Sequence, residues 1–437
     1  MYDDNTLYWI WLAEKCGVAS KDFGRLVARF DDPFEIYRLE NEEIAGIDFL
    51  ADRLKDDLCQ KSLESAYSIL KYCKRNKIDI ISYGDVRYPS RLKMLEDPPV
   101  LLYCLGTFPK FDKRLCVGVV GTRKISAYGM DMAYKISYEL SSANACVVSG
   151  MALGIDAVAS CAALEAGGDT VAVLGCGIDI VYPKTHEKLK RCICASGAVI
   201  TEYPPSTPPH GSNFPKRNRI ISGLCQGVLI VEGNHSSGAM ITAQRALSQG
   251  REVFALPGKI GESNSEGPNE LIKSGANVAL SAEDIILHYD FLYHDAIDYR
   301  GLKRGKLHSD YSPRYVERYG VSSEVYYGSN TVIAESDKRI SRPKNTTEMS
   351  ETKKEKVLEV VPQTDEKRDA PDNSAELLST LDPMSARVFE LMPIDRAISL
   401  DEFTNAGMNT SEVITALTML EINGLVSSLP GGNYVRK

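Results

Sequence analysis

The stretch from about residue 115 to residue 280 predicts an α/β fold built around a doubly wound, mostly parallel sheet. Three observations predict it. Short apolar runs rich in valine recur at 115–120, 145–148, 170–174, 199–201, 228–231 and 252–256. They are continuous rather than alternating, as strands covered on both faces are. Helical stretches such as 127–140 and 239–249 separate them, which is the alternation of a doubly wound sheet. The glycines and unusual polar residues collect where the strands end, and in such a sheet ligands bind outside the carboxyl ends of the strands.

Ahead of the sheet, residues 1–80 read as helices, with Trp9, Leu12, Leu26, Val27, Phe30, Phe34, Ile36 and Tyr37 at helical spacing. Two turns interrupt them, at 17–20 and 44–48. Each resembles a helix-hairpin-helix turn with its second glycine missing, so a structural helical cap is favoured over DNA contact. A region of this SAM or helix-hairpin-helix type is expected over 1–80. Residues 80–112 connect to the sheet, punctuated by Pro89, Pro98, Pro99 and Pro109 around a strand-like 100–105. The sheet domain is taken as 81–288.

Beyond it the large aliphatics thin out, Ser, Lys, Glu and Asp rise, and periodicity is absent despite frequent tyrosine in 289–327. A disordered or poorly ordered linker is expected over 289–374. Residues 375–437 are compact again. Helices are expected at 383–391, 400–406 and 410–423, the last capped by Asn409 or Thr410 and ended by Gly424, then a hairpin from 426 to 435. Three helices and a hairpin make a winged helix. Its third helix carries no Lys or Arg, and phosphate contact needs cations. A protein-contact or regulatory role is favoured for it.

At 437 residues the length fits about three domains. A net charge of −8 argues against a protein that coats nucleic acid indiscriminately, so a polyanion site has to be a local basic patch. Eleven cysteines lie mostly in apolar runs without Cys-x-x-Cys pairs, as in a reduced, cytoplasmic protein. Cys192 and Cys194 have no second ligand pair, so no metal is expected, and no cofactor. Neither a signal peptide nor a membrane span is read, and no membrane partner is expected.

The candidate site centres on 213–224, which holds Phe214 and the cations Lys216, Arg217 and Arg219 at the start of a short helix. Cations beside free helix N-terminal amides suit phosphates, and a base can stack on Phe214. Arg123 follows directly on the first strand of the repeat and is read as a phosphate contact. Lys184, after Tyr182-Pro183, is read either as a phosphate contact or as a surface lysine. The glycine-containing loops Gly121-Thr122 and Ser149-Gly150, and Ser237-Gly238 at another helix start, supply candidate phosphate-binding amides. Asp156 and Glu202 lack catalytic partners and read as acceptors of backbone N–H groups. His210 and His235 read as surface loop histidines. No catalytic residue is assigned.

Several enzyme classes are disfavoured. Gly118-x-x-Gly121 is not a dinucleotide fingerprint, and the second strand ends in Ser149-Gly150 rather than in an acid for the ribose. There is no P-loop and no Gly-x-Ser-x-Gly elbow.

Taken together, Val119-Val120-Gly121-Thr122-Arg123, Ser149-Gly150 with Gly154-Ile155-Asp156, Ala172 through Asp179 with Tyr182-Pro183-Lys184, Phe214 through Leu224, and Gly250 through Gly258 resemble the DNA-processing protein A (DprA/Smf) family over about 80–285. The helical start and the winged helix fit that family's layout. The resemblance implies an extended Rossmann-like domain that binds and protects single-stranded DNA. It further implies transfer of the strand to the RecA recombinase during natural transformation, as a homodimer and without nucleotide hydrolysis. Two positions depart from the pattern: the family often has arginine where Leu153 stands and histidine where Ser160 stands. Two other readings compete. One is a nucleotide-binding enzyme of the ribosyl hydrolase type, whose Pro-Gly-Gly-x-Gly-Thr loop is not matched by 232–238. The other is a nucleotide sensor.

Overall fold

A computed structural model describes residues 5–30, 32–327, 331–333, 383–393, 396, 398–399, 402–403, 408–422, 425–429 and 433–436. The chain divides into two units, Met1–Ala334 and Glu335–Lys437, each taken here by itself.

The first unit opens with six helices, α1 (Thr6–Cys16), α2 (Lys21–Arg29), α3 (Pro33–Arg38), α4 (Asn41–Ala45), α5 (Asp52–Cys59) and α6 (Glu64–Arg75). Ser20 caps α2 by accepting from the Phe23 amide at 3.3 Å, and Asp32 caps α3 through the Phe34 amide at 2.9 Å. The turn after α1 needs left-handed backbone at Gly17 (φ 69°) and Ala19 (φ 60°). The Ala19 amide turns inward to the Glu202 carboxylate at 3.5 Å, which suits the structural reading of this turn. The helices share one core with the sheet: Phe23 meets both Trp9 and Tyr83 edge-on, at 6.4 and 5.5 Å.

The sheet has nine strands in the order β1-β2-β6-β5-β4-β3-β7-β8-β9. In chain order these are β1 (Asp79–Ser82), β2 (Leu101–Gly106), β3 (Cys116–Val120), β4 (Cys146–Ser149), β5 (Thr170–Val173), β6 (Ala198–Thr201), β7 (Gly227–Ile230), β8 (Glu252–Ala255) and β9 (Asn277–Val278). β1 and β2 are antiparallel additions, and β6, β5, β4, β3, β7, β8 and β9 run parallel. A short α7 (Ser90–Lys93) lies between β1 and β2, and the crossovers include α8 (Ala127–Ser142), α9 (Ile155–Glu165), α10 (Glu187–Ser196), α11 (Asn213–Leu224), α12 (Gly238–Ser248) and α13 (Ser263–Lys273).

Strand side chains alternate between two cores. Val117, Val119, Val147, Ala172 and Leu229 enter the core that holds α8, α9 and the N-terminal helices. Cys116, Val120, Val148, Val173, Val228 and Ile230 enter the other, against α11 and α12. Covering both faces is what makes these strands read as unbroken apolar runs. The strand order reverses between β3 and β7, so the loops that follow them flank the crevice expected to take a ligand.

The linker expected over 289–374 is corrected for its first part. After α14 (Ala282–His288), residues 289–327 carry α15 (Asp290–Tyr293), α16 (Tyr299–His308) and α17 (Pro313–Glu317), with Leu302 and Val316 buried. Tyrosines do here what aliphatics do elsewhere. Tyr315 stacks on Tyr134 of α8 at 5.6 Å, and the Tyr319 hydroxyl donates to Glu165 of α9 at 2.7 Å. Gly301 and Gly305 let α16 close on α8: a Cβ at Gly305 would lie 2.8 Å from the Ser142 Cβ, and one at Gly301 would collide with the Ser142 carbonyl. β10 (Val325–Tyr327) pairs antiparallel with β11 (Thr331–Ile333), and the rest of the expected linker lies outside the described residues.

The second unit holds a winged helix. Its α18 (Pro383–Leu391) and α19 (Thr410–Ile422) pack with the hairpin of β13 (Val426–Leu429) and β14 (Asn433–Arg436), and β12 (Ile398–Ser399) pairs with β14. Val388, Phe403, Val413, Leu417, Leu420 and Val426 form its own core. Of the expected helix at 400–406, only residues 402 and 403 are described, and they are helical.

Candidate nucleic-acid interface

The crevice at the carboxyl ends of β3 to β7 is built by five loops, and their local bonding decides which side chains reach outward. After β3, the Thr122 amide donates to the Glu232 carbonyl at 2.8 Å, and the Thr122 hydroxyl accepts from the Lys124 amide at 3.1 Å. Gly121 has no room for a Cβ, which would run into Ile155. Thr122 therefore turns its amide into the loop rather than toward a ligand, and Arg123 is left exposed at the tip.

The Ser149-Gly150 loop is also committed internally. The Ser149 hydroxyl donates to the Val119 carbonyl at 2.7 Å. The Gly150 amide donates to Asp156 at 3.0 Å, and the Ala152 amide points to the same oxygen at 3.4 Å. Burial raises the Asp156 carboxyl above the usual aspartate range, while the Arg217 and Arg123 charges and these amides oppose it. A Cβ on Gly150 would lie 2.5 Å from the Arg217 guanidinium, so this glycine is a cradle for Arg217 rather than for a phosphate.

The three cations of α11 separate. Lys216 is exposed. Arg217 is 4% exposed and donates to the carbonyls of Gly150 (2.8 Å) and Val173, tying the β4 and β5 loops together. Burial pushes its guanidinium pKa down, and nearby Asp156 opposes that. Arg219 is 1% exposed and pairs with Glu202 and Asp97. The expectation that Arg217 and Arg219 contact phosphate is thus corrected: buried carboxylates and strand-end carbonyls draw both guanidinia inward.

What the crevice does bring together is an aromatic and two arginines. The Arg123 guanidinium carbon lies 5.5 Å from the centre of the Phe214 ring, and that of Arg217 5.8 Å, within cation–π reach. Tyr182 adds a second ring 5.4 Å from Phe214. In the sequence Tyr182 shows only as part of the Tyr182-Pro183-Lys184 motif, with no role of its own, two positions before Lys184, which is exposed.

At the other flank, Gly238 is exposed at the start of α12. The Ser237 hydroxyl has no hydrogen-bond partner and lies against Gly233. Glu232 beneath them is 3% exposed and accepts from the Ser126 amide (3.1 Å), the Ser126 hydroxyl and the Asn264 side chain (3.3 Å). Burial raises its pKa against these donors, and the carboxylate acts as a clamp between loops. Among the described residues no group of three or more His, Cys, Asp or Glu could hold a metal, and no helix is long and apolar enough to cross a membrane.

The sequence model of the family described as DNA recombination-mediator protein A matches residues 79–290, and one described as the DprA winged helix domain matches 370–432. DNA processing protein DprA of Bacillus subtilis (strain 168) is 37% identical over 238 residues, covering 54% of this chain and 80% of its own length. DNA processing protein DprA of Streptococcus pneumoniae is 41% identical over 217 residues, 49% of this chain and 76% of its own. The X-ray structure of the Streptococcus pneumoniae DprA aligns with a TM-score of 0.57 and 34% identity over 64% of this chain and 97% of that one. On these matches, which span the sheet and the winged helix alike, the chain belongs to the DNA processing protein A (DprA/Smf) family.

Proposed function

We propose that this chain binds single-stranded DNA in the crevice at the carboxyl ends of β3 to β7, protects it there, and passes it to the RecA recombinase during recombination and natural transformation. The observation that carries the reading is Arg123 over the Phe214 ring, in a crevice flanked by exposed Lys184 and Lys216. Phosphates of a flexible strand meet the cations, and its unstacked bases meet the aromatic pair. A duplex offers the same charge but keeps its bases stacked.

Hydrolysis has no part in this reading. Glu232, which opens the loop standing where a ribosyl hydrolase has its Pro-Gly-Gly-x-Gly-Thr motif, is held by Ser126 and Asn264. The working form is taken to be a homodimer joined through the sheet unit, as the family resemblance implies, acting in the cytoplasm, where its unpaired cysteines stay reduced.

Fluorescence anisotropy with oligo-dT and with duplex of equal length tests the reading. The single strand should bind more tightly, with an affinity that falls as salt rises. Equal affinity for both, or none, defeats it. Incubation with nucleoside monophosphates should release no base. RecA filament growth on strands precoated with single-strand binding protein should speed up when the chain is added. Sedimentation should show a dimer.

A further inference from the structure

We propose that Tyr182, rather than Phe214, is the ring on which a base of the bound strand stacks, with Phe214 as the support behind it. The proposal rests on the reading of this crevice as a single-strand site, and it names the side chain that meets the base.

The Phe214 ring is already surrounded. Gly175 packs so closely on it that a Cβ there would lie 2.9 Å from Cδ1 and 3.2 Å from Cε1. Tyr182 lies against it at 5.4 Å, Arg123 at 5.5 Å and Arg217 at 5.8 Å. Phe214 is accordingly half-buried. A base that stacked on it would have to displace one of these groups, and Arg217 is buried and bonded to two strand-end carbonyls.

Tyr182 is in the opposite situation. It is 38% exposed, Phe214 is its one ring neighbour among the described residues, and its hydroxyl has no hydrogen-bond partner there. A large flat ring left open beside three exposed cations, Arg123, Lys184 and Lys216, matches what strands without sequence preference require.

The ring is also held in place beforehand. Lys190, 6% exposed, donates to the carbonyls of Ile178 at 2.5 Å and Ile180 at 2.8 Å. Asp179 accepts from the Ser206 amide at 2.8 Å and from the Tyr72 hydroxyl of α6 at 3.2 Å. Just past the ring, the buried His186 imidazole contacts the Met151 carbonyl through Nδ1 at 3.1 Å. A loop pinned on both sides of Tyr182 spends little conformational entropy when a base arrives.

A cycle of two changes tests this with the full chain. Oligo-dT and an abasic strand of the same length are titrated against the parent, Tyr182→Ala and Tyr182→Phe. Tyr182→Ala should weaken oligo-dT binding about tenfold or more, without changing the salt slope. On the abasic strand, which has charge but no bases, the same substitution should cost nothing. Tyr182→Phe should bind like the parent on both. Two outcomes overturn the assignment while leaving the crevice intact: Tyr182→Ala binding oligo-dT as the parent does, or an equal loss on both strands, which would mean that Tyr182 only positions the cations. A parent that fails to bind oligo-dT overturns the single-strand reading and this proposal with it.

Discussion

Arg219 donates from one terminal nitrogen to both carboxylate oxygens of Glu202, each at 2.7 Å, with 1% of its surface exposed. Its Nε lies 3.3 Å from Asp97. The pair joins α11 to the end of β6 and to the segment before β2.

Removing one partner of such a buried pair strands the other charge and costs about 3–5 kcal/mol. Arg219→Ala should lower the urea midpoint accordingly and leave the salt slope of DNA binding unchanged. An unaltered midpoint with a shallower slope would put Arg219 back among the phosphate contacts.

The exposed cations should behave in the reverse way. Each phosphate neutralised on a single strand contributes about −0.7 to the slope of log K against log salt, so Arg123, Lys184 and Lys216 together give about −2. Alanine at Arg123 or Lys216 should weaken binding and reduce the steepness by about 0.7, with the urea midpoint held. Parent-like titrations for both variants would place the groove elsewhere.

Glu139 on α8 is 1% exposed, with its carboxylate accepting from the Ser309 hydroxyl at 3.0 Å and facing the Ala282 backbone amide. Burial raises its pKa above the ordinary glutamate value, against the Ser309 bond and the charge of Lys135. The folded chain therefore keeps this proton to higher pH than the unfolded chain does. The group's contribution is greatest below the unfolded pKa and is lost as pH rises through the folded one. Glu139→Gln should gain stability relative to the parent as pH rises from the ordinary glutamate range through the raised folded pKa. Urea titrations at both ends of that range check it, and a constant difference between the two chains would refute it.

Residues 289–327 should count in the stability of the first unit. Leu302 is 4% exposed in the core shared with α8. Truncating it to alanine should cost about 2–5 kcal/mol. Gly301→Val should do at least as much harm, since its Cβ has no space beside Ser142. If both variants unfold at the parent's midpoint, α16 contributes nothing.

Much of this was legible from residue order alone. Continuous valine runs mark strands covered on both faces, because that signal acts over a few neighbouring residues. The motif set around Arg123, Gly150 and Phe214 pointed to the family for a similar reason: its spacing is written along the chain. The α16 segment was not legible. Its tyrosines show as core only once Tyr134 and Glu165 lie opposite them, and the room its glycines leave matters only once α8 closes on them. The α11 cations divide on the same grounds. Lys216, Arg217 and Arg219 look equivalent in sequence, and the direction of a guanidinium is set by its partners. Those partners, the Gly150 and Val173 carbonyls for Arg217 and Glu202 with Asp97 for Arg219, come from segments that only the folded sheet brings to one end. Residue order determined that this chain has a basic, glycine-rich crevice; tertiary packing decided which of its cations face the solvent, because a buried charge must find its counter-charge or hydrogen bonds inside.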